Sequence, residues 1–395
     1  MAKTAIIGGG AAGFFLAICL KEKMPEMDVT IFERGKEVLR KVAISGGGRC
    51  NCTNTFEDIR DLQEVYPRGH RLMRRLMKAF SERDTYEWFD EHGVRLIAQD
   101  DHCVFPVSQD SQSIIDCFLH YCRRYGVEIR TGMKIHSLED LSDYDFICIT
   151  VGGQPHKEGL SWLEEMGHKI VDPVPSLFSF NIKDAGVRSL MGSVVDNAPV
   201  MIPGTTFRAS GPLLFTHWGM SGPAILRLSS YAARYLAEEH YHAPLSVNWS
   251  GHREGDVNKE LQRIAMLHRQ KLLTNIRPFG LPRRVWEHIL SKAMGEKTDR
   301  RWGDIGKKDY NRLVNTLTND SYLISGRAPF KDEFVTCGGI SLNSVNSKTL
   351  ESRCRKRLYF AGEVLDIDGV TGGFNFQAAW TTAHTVAAAI AEGSS

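Results

Sequence analysis

The chain opens with two short apolar runs. A glycine-rich segment and a longer, mostly apolar run lie between them. Residues 4–7 predict a buried strand, residues 11–23 a helix and residues 29–33 a second strand. Strands that are apolar along their whole length are typical of parallel sheets, because helices cover both faces of such sheets. The opening of the chain therefore predicts a βαβ unit at the start of a parallel sheet.

Similar patterns further along the chain predict more elements of this sheet. Helices are expected at residues 71–91, 111–125 and 377–391. Strands are expected at residues 127–130, 146–150 and 358–361. Because the last strand and helix lie near the C-terminus, we predict an α/β fold whose sheet is completed by the end of the chain.

The middle of the chain has a different pattern, which predicts an insertion. Residues 177–182 and 194–202 are rich in β-forming residues and are broken by proline and glycine, so an antiparallel region is expected there. Helical periodicity follows at residues 261–276, 283–294 and 309–317. The insertion is therefore expected to contain a β part and a helical part.

Composition is that of an ordinary globular protein. Of 395 residues, 42% are apolar and 24% are charged, which argues against disorder and coiled coils. The formal net charge of +2 does not require a nucleic acid or an anionic membrane as partner. Residues 244–335 differ from the rest, because 17 Lys and Arg outnumber 11 Asp and Glu there.

Cysteine usage and the first apolar run bear on location. Nine cysteines at irregular spacing do not resemble a disulfide framework, so we expect a reducing, cytoplasmic location. Cys50 and Cys52 lack partners at zinc spacing, and we predict no metal site. Residues 5–20 are too short and too rich in glycine to span a bilayer, and they lack a signal-peptide cleavage pattern. We therefore expect no membrane partner.

A first glycine cluster follows the first predicted strand and opens the first predicted helix. Its members, at G-x-G-x-x-G spacing, are Gly8, Gly10, Ala11, Ala12 and Gly13. Such glycines permit a tight turn, close approach of a pyrophosphate and packing of helix on strand, and the helix N-terminus favours phosphate. Glu33 ends the second predicted strand, where an acid accepts hydrogen bonds from an adenosine ribose. The cluster predicts a dinucleotide site but does not separate NAD from FAD.

A second glycine cluster lies at residues 45–51, which read SGGGRCN. Successive glycines let several N–H groups point into one concavity, and Arg40 and Lys41 lie just upstream to neutralise phosphate. We interpret the cluster as a contact for the pyrophosphate or the flavin edge; the alternative is a flexible surface loop. The candidate contacts are Gly47, Gly48, Arg49, Cys50 and Asn51.

A third cluster follows the last predicted strand. Gly362 and Glu363 end that strand, and Gly372 and Gly373 precede the last helix. In a chain with the first cluster, a late strand that ends in Gly and an acid resembles the FAD motif whose acid holds the ribityl chain. The helix dipole would then stabilise a reduced flavin. Residues 150–153, Thr-Val-Gly-Gly, resemble the Ala-Thr-Gly turn of the same flavoproteins, although Val151 lies between Thr and Gly.

Together with residues 215–223, these clusters resemble a bacterial family of NAD(P)/FAD-dependent oxidoreductases, the YhiN-like flavoproteins. The resemblance covers nearly the whole chain. It implies an α/β fold with a glutathione-reductase-like FAD-binding Rossmann domain, interrupted by an inserted β-barrel-like domain and a helical domain. The expected boundaries are 1–175 with 336–395, 176–243 with 320–335, and 244–319. Family members are named aminoacetone oxidases or flavin reductases of unsaturated bile acid intermediates.

The resemblance also implies which residues bind FAD. These are Gly8, Gly10, Gly13, Glu33, Arg34, Lys41, Gly47, Asn51, Gly152, Gly362, Glu363, Gly373 and Asn375. From their positions in the same motifs, Thr150, Gly372 and Phe374 are added as candidates.

Two motifs that such reductases often carry are missing from the sequence. A second G-x-G-x-x-G after a strand does not occur, so NADH or NADPH is expected only as a transient reductant. Cys117 and Cys122 lie within a predicted helix and are interpreted as packed side chains rather than a redox pair.

No catalytic residue can be assigned from the sequence. His217 is a candidate for proton transfer or an ordinary interdomain residue, and Cys50 is a candidate thiolate or a packed side chain. Flavin itself carries the hydride step, so no protein acid or base is strictly required.

The sequence therefore predicts an FAD-dependent oxidoreductase that moves two electrons between a small organic substrate or NAD(P)H and an acceptor. The alternative is a flavin-dependent protein that modifies or associates with RNA through the basic insertion. A third hypothesis is a redox sensor in which the flavin state moves the insertion. The basic residues at 68–78 have helical spacing and are interpreted as a solvated face, so a nucleic-acid partner is the less favoured reading.

Overall fold

Five parallel strands form the central sheet of the protein in a computed structural model, which describes residues 1–295, 298–328 and 335–393. The chain divides into two units, residues 1–174 with 335–395 and residues 175–334. In sheet order, the five strands of the first unit are Leu358–Phe360, Phe146–Ile149, Lys3–Ile7, Asp28–Phe32 and Glu128–Arg130. The predicted Rossmann-type α/β sheet is confirmed, including the strand that the C-terminal part of the chain contributes.

The register of this sheet places the ends of its strands side by side. Ile7 lies opposite Phe32 on one side and Ile149 on the other. Because the strands are parallel, the segments that follow them emerge at one edge of the sheet. Those segments begin at Gly8, Glu33 and Thr150, which the sequence singled out.

The described part of the first unit contains seven helices. They are Ala11–Lys23, Arg40–Ile44, His70–Leu76, Glu82–Glu91, Gln112–Arg124, Ser161–Glu165 and Phe374–Gly393. The first and last are apolar around most of their circumference and pack on each other, with Phe15 and Trp380 ring centroids 5.2 Å apart. Short 3-10 turns lie at Ser45–Gly47, Leu62–Glu64, Glu139–Leu141, Lys157–Leu160, Leu342–Ser344 and Gly362–Val364.

Two smaller sheets complete the first unit. One is antiparallel and contains Thr53–Asn54, Cys103–Pro106 and Leu96–Ala98. The other pairs Ile170–Ser176 with Val335–Ile340.

The second unit contains two antiparallel sheets of four strands each. In sheet order, the first has Val194–Val195, Leu213–Phe215, Gly219–Ser221 and Phe180–Asn181. The second has Arg208–Ala209, Val200–Met201, His242–Val247 and Asp320–Ser325. The antiparallel character of the insertion agrees with the sequence. The β-barrel-like domain is not confirmed by these pairings, and the division of the insertion into two domains stays a prediction.

The helices of the second unit pack around one apolar core that includes Trp249, Trp286 and Trp302. They are Ala185–Ser189, Pro223–Tyr231, Ala233–Glu238, Glu254–Leu267, Arg283–Met294 and Lys307–Thr318, with 3-10 turns at Leu273–Asn275, Pro278–Gly280 and Trp302–Asp304.

Two predicted helices differ from the structure. The helix predicted over 71–91 is broken into two, because Ser81 caps a new helix by exchanging hydrogen bonds with Asp84. The helix predicted over 261–276 runs instead from Glu254 to Leu267.

Candidate functional site

The turn between the first strand and the first helix leaves no room for side chains at two of its glycines. Gly8 has a φ of +121°, and a Cβ there would lie 2.3 Å from the carbonyl oxygen of Thr150. A Cβ on Gly13 would lie 2.1 Å from the carbonyl oxygen of Gly8. Both glycines are therefore required by packing of the helix against the strand ends.

Gly10 is different, because the fold itself does not require a glycine there. Its φ of −96° suits any residue, and a Cβ on it would meet nothing within 4 Å. Gly10 caps the helix without a side-chain hydrogen bond, and the first helical turn has no acidic residue. The N–H groups of that turn have no partner within the helix. Open space beside unpaired donors fits a pyrophosphate.

The carboxylate of Glu33 is fixed beside this turn. Oε2 accepts a hydrogen bond from the N–H of Gly9 at 2.8 Å, and Oε1 accepts one from the N–H of Gly35 at 2.6 Å. Each carboxylate oxygen keeps a further lone pair, so Glu33 can still accept hydrogen bonds from a ribose. Arg34, the next residue, is exposed.

Glu363 is the second carboxylate of the site. Its Oε2 lies 2.9 Å from the ammonium of Lys41, and its Oε1 accepts a hydrogen bond from the N–H of Thr336 at 2.8 Å. Burial acts to raise the pKa of this carboxyl, but Lys41 and the N–H groups of Thr336 and Gly153 outweigh it, so the pKa lies below its ordinary value. Glu363 is therefore an ionised acceptor at neutral pH.

The third glycine cluster packs directly on the first. A Cβ on Gly362 would lie 2.8 Å from the Cβ of Ala12, and its φ is +78°. A Cβ on Gly153 would lie 2.6 Å from Oε1 of Glu363, whereas one on Gly152 would lie 3.8 Å from Oε2. Small residues at these positions bring Glu363 close to the start of the first helix.

The second glycine cluster forms an open loop. Gly47 and Gly48 have φ values of +70° and +85°, and a Cβ on either would meet nothing within 4 Å. The guanidinium of Arg49 lies 4.2 Å from the centroid of the Phe105 ring, and its Nε donates to the carbonyl of Gly46 at 3.2 Å. Arg49 thus stiffens the loop, while the two glycines leave its backbone open to a ligand.

Asn51 joins the second cluster to the third. Its Oδ1 accepts a hydrogen bond from the N–H of Val104 at 3.2 Å. A Cβ on Gly373 would lie 2.8 Å from that same Oδ1 and 2.0 Å from the carbonyl oxygen of Thr53. Gly373, with a φ of +88°, lets the last helix begin against this loop. All three glycine clusters are therefore neighbours within the first unit.

Five other candidates lie in or beside the glycine clusters. Thr150 donates to the carbonyl of Gly8 at 2.9 Å. Asn375 exchanges hydrogen bonds with the backbone of Gly369 at 2.8 and 2.9 Å. Phe374 is buried, and Cys50 is fully buried. Gly372 has a φ of +127° in the same loop. Their roles as cofactor contacts stay predictions.

The structure separates the two candidates for chemistry. Cys50 has 0% exposure, as expected of a packed side chain. His217 is exposed in the tight turn between Leu213–Phe215 and Gly219–Ser221 of the second unit. Burial raises the pKa of both Cys117 and Cys122 to about 12, which disfavours their thiolates at neutral pH.

The backbone N–H groups of Thr336 and Gly153 contact Glu363, and neither residue was among the candidates predicted from the sequence. Thr336 lies in an entirely buried strand and gives no local signal of a role. Gly153 adjoins Gly152 in a motif that was noticed, and the glycine pair was the signal that could have found it.

The described residues fit a dinucleotide with two separate anchoring carboxylates. Among them, no group of three or more His, Cys, Asp and Glu could hold a metal ion. Over the same residues, none of the helices combines the length and apolar character needed to cross a bilayer.

The fold and the site define a Rossmann-type α/β protein. The chain belongs to the family described as "HI0933-like protein Rossmann domain", which matches residues 2–389. This membership confirms the family resemblance derived from the three glycine clusters.

Curated relatives match along nearly their whole length. The chain is 28% identical over 403 residues to the ribosomal RNA dihydrouridine synthase of Escherichia coli, covering 97% of this chain and 96% of the relative. It is 27% identical over 421 residues to the 3-dehydro-bile acid delta(4,6)-reductase of Clostridium scindens, covering 99% of this chain and 100% of the relative.

Among solved structures, the 3-ketosteroid delta1-dehydrogenase of Sterolibacterium denitrificans matches with a TM-score of 0.51 and 10% identity, over 100% of both chains. At this identity the likeness concerns the fold alone.

Proposed function

We propose that this protein is an FAD-dependent oxidoreductase that reduces a carbon–carbon double bond conjugated to a carbonyl group. The observation that carries the proposal is the meeting of three glycine clusters around one helix N-terminus and two carboxylates, Glu33 and Glu363. A single extended dinucleotide that carries a flavin would contact all of these groups at once.

Different residues of the first unit would bind different parts of FAD. The N–H groups at Gly10, Ala11 and Ala12 would bind the pyrophosphate, and Glu33 would accept hydrogen bonds from the adenosine ribose. Glu363 would accept hydrogen bonds from the ribityl hydroxyls, since Lys41 and Thr336 hold its carboxylate ionised and fixed in place. The N-terminus of the last helix would favour negative charge on the reduced ring.

The reaction class is supported by the names of the curated relatives. One name describes formation of dihydrouridine, in which a double bond beside a carbonyl has become a single bond. The other describes reduction of double bonds in a bile acid that carries a ketone. When bound and reduced, the flavin would supply a hydride to one carbon of such a bond, and a proton would complete the other carbon.

NADH or NADPH is the proposed source of the two electrons. In balance, NAD(P)H, a proton and the double bond give NAD(P)⁺ and the saturated product. Since the sequence has no second G-x-G-x-x-G, the nicotinamide would bind transiently.

RNA is a second candidate substrate class beside a small organic molecule. It is favoured by the E. coli relative's name and by the excess of Lys and Arg over residues 244–335. A uridine base and a small enone present the same conjugated bond, so the chemistry proposed for the flavin is common to both.

Rapid mixing tests the reaction class. The FAD-loaded protein is reduced without oxygen by NADPH or NADH and then mixed with 2-cyclohexen-1-one, with cyclohexene as the matched alkene that lacks a carbonyl. We expect the flavin to be reoxidised by the enone and not by cyclohexene. Reoxidation by neither, with rapid reoxidation by oxygen, would instead indicate an oxidase.

A further inference from the structure

Two segments of the second unit are joined into a paired surface. The N–H of Leu273 donates to the carbonyl of Arg300 at 2.9 Å, and the N–H of Trp302 donates to the carbonyl of Lys271 at 3.0 Å. A third bond joins the N–H of Gly303 to the carbonyl of Arg269, also at 3.0 Å. Residues 269–273 and 300–303 are therefore held side by side, and we call them the basic ledge.

The underside of the basic ledge is anchored in the apolar core. Leu273 is fully buried, and Trp302 is 1% exposed. The Trp302 ring stacks on Trp286 with 9° between the ring planes, and Nε1 of Trp286 donates to the carbonyl of Leu273 at 2.8 Å. These contacts make the ledge a fixed support rather than a free loop.

The outer side of the basic ledge carries three exposed cations, Arg269, Lys271 and Arg301. Across the described parts of the chain, none of the three is paired with a carboxylate; Arg301 donates to the amide oxygen of Gln270 at 2.6 Å. Some other cations of this unit are paired with a carboxylate, as Arg263 is with Glu260 at 2.7 Å. The ledge thus places three exposed cations, without a carboxylate partner among the described residues, on one paired surface.

Apolar side chains border these cations. Met266 and Leu267 end the helix that leads into the ledge and are 76% and 63% exposed. Thioether and aliphatic groups beside cations suit a partner that presents phosphates and the less polar faces of sugars and bases together. An inorganic anion has no apolar surface that these two side chains could contact.

We propose that the basic ledge binds the phosphodiester backbone of RNA, so that the RNA candidate of the proposed function has a defined binding surface on this unit. The inference rests on the proposed function, because it assigns a partner to the same enzyme. Guanidinium and ammonium groups contact phosphate oxygens, and each contact releases counterions from the nucleic acid.

Salt-dependent binding to a defined probe tests the inference. The full-length protein is titrated into a fluorescein-labelled RNA hairpin with a uridine loop, and anisotropy is followed from about 50 to about 200 mM KCl. Arg269→Ala/Lys271→Ala/Arg301→Ala should weaken binding by at least about tenfold and reduce the slope of log affinity against log salt by about 2 to 3. The control, Arg123→Ala/Arg124→Ala/Lys134→Ala, removes three exposed cations of the first unit and should leave the slope nearly unchanged.

The outcomes separate this inference from the proposed function. Flavin absorbance and the unfolding temperature are recorded on the same samples and should be equal in the wild type and both triple variants. The inference that the ledge binds RNA would be overturned by any of three results. These are equal weakening in both variants, no RNA binding by the wild type at low salt, and binding to phosphatidylserine vesicles in place of RNA. Absence of flavin would overturn the proposed function, while RNA binding could still be measured.

Discussion

The ammonium group of Lys41 lies 2.9 Å from Oε2 of Glu363, although 322 positions separate the two residues in the sequence. The pair ties the helix that precedes the second glycine cluster to the turn that opens the third. It also supplies positive charge that helps to keep the Glu363 pKa low despite burial. The acceptor predicted to hold a ribityl chain is thus fixed and charged by the protein itself.

Substitution of Glu363 tests its role in cofactor binding. Glu363→Gln removes the charged acceptor. We expect FAD affinity to fall by about 10- to 100-fold, because a hydrogen bond to a charged group typically contributes that much to affinity. Glu128→Gln, which changes an exposed glutamate of the same unit paired with Arg130, is the control. Equilibrium dialysis of FAD against both proteins measures the difference, and equal affinities would contradict the assignment.

Two glycines of the first cluster are expected to respond differently to substitution. Gly10→Val has an allowed backbone and open space, so it should leave the fold stable and weaken FAD binding. Gly13→Ala places a Cβ against the backbone of Gly8 and should cost about 1–3 kcal/mol of stability. Urea unfolding and FAD retention are measured on both. If Gly10→Val destabilised the protein and Gly13→Ala did not, the assigned roles would be reversed.

A buried ion pair supports the loop of the third cluster. Arg68 donates to the carboxylate of Asp368, with Nε 2.6 Å from Oδ1, and the two side chains are only 15% and 0% exposed. Asp368→Asn removes the negative charge that faces the buried guanidinium and should reduce the free energy of unfolding by about 3–5 kcal/mol. Glu260→Gln, which breaks an exposed pair with Arg263, should cost far less. Similar urea midpoints for the two variants would refute this.

Acidification is expected to destabilise the protein partly through His168. The ring is 1% exposed, with Nδ1 2.9 Å from the carbonyl of Leu163 and Nε2 2.7 Å from Oγ of Ser352. Burial lowers the pKa of His168, so the unfolded chain binds the proton more readily. The contribution of His168 is therefore present above about pH 6.5 and is lost as the pH falls below it.

Unfolding temperatures at neutral and mildly acidic pH measure this effect. His168→Gln should lose less stability on acidification than the wild type, whereas exposed His217→Gln should lose as much as the wild type. An unchanged pH dependence in His168→Gln would show that His168 is not one of the groups responsible.

The parallel sheet was predictable because most of its strands are short apolar runs, and glycine-rich segments follow several of them. The helix predicted at residues 11–23 has those bounds in the structure. Where the ends of the sheet's strands differ from the prediction, they differ by one residue. The insertion was harder, because strands of two or three residues carry almost no periodicity. His242–Val247 pairs with Asp320–Ser325, which lies far along the chain, so only tertiary packing defines that partner.

The glycines and acids of the site could be found from motif spacing, but their mutual contacts could not. Spacing pointed to Lys41 and Glu363 separately, and only the fold shows that they form an ion pair. Thr336 donates through its backbone, so its side chain gives no signal. Gly8 and Gly13 read alike in the motif with Gly10, yet only Gly10 leaves open space for a ligand.

The visible absorption spectrum of the purified protein, followed during anaerobic titration with NADH and then NADPH, tests the central claim most directly. We predict a flavin absorption band that bleaches with one of the two nicotinamides, as expected for an FAD-dependent reductase. A protein that remains colourless after incubation with FAD would contradict the proposed cofactor, and a band that neither nicotinamide bleaches would contradict the proposed source of electrons.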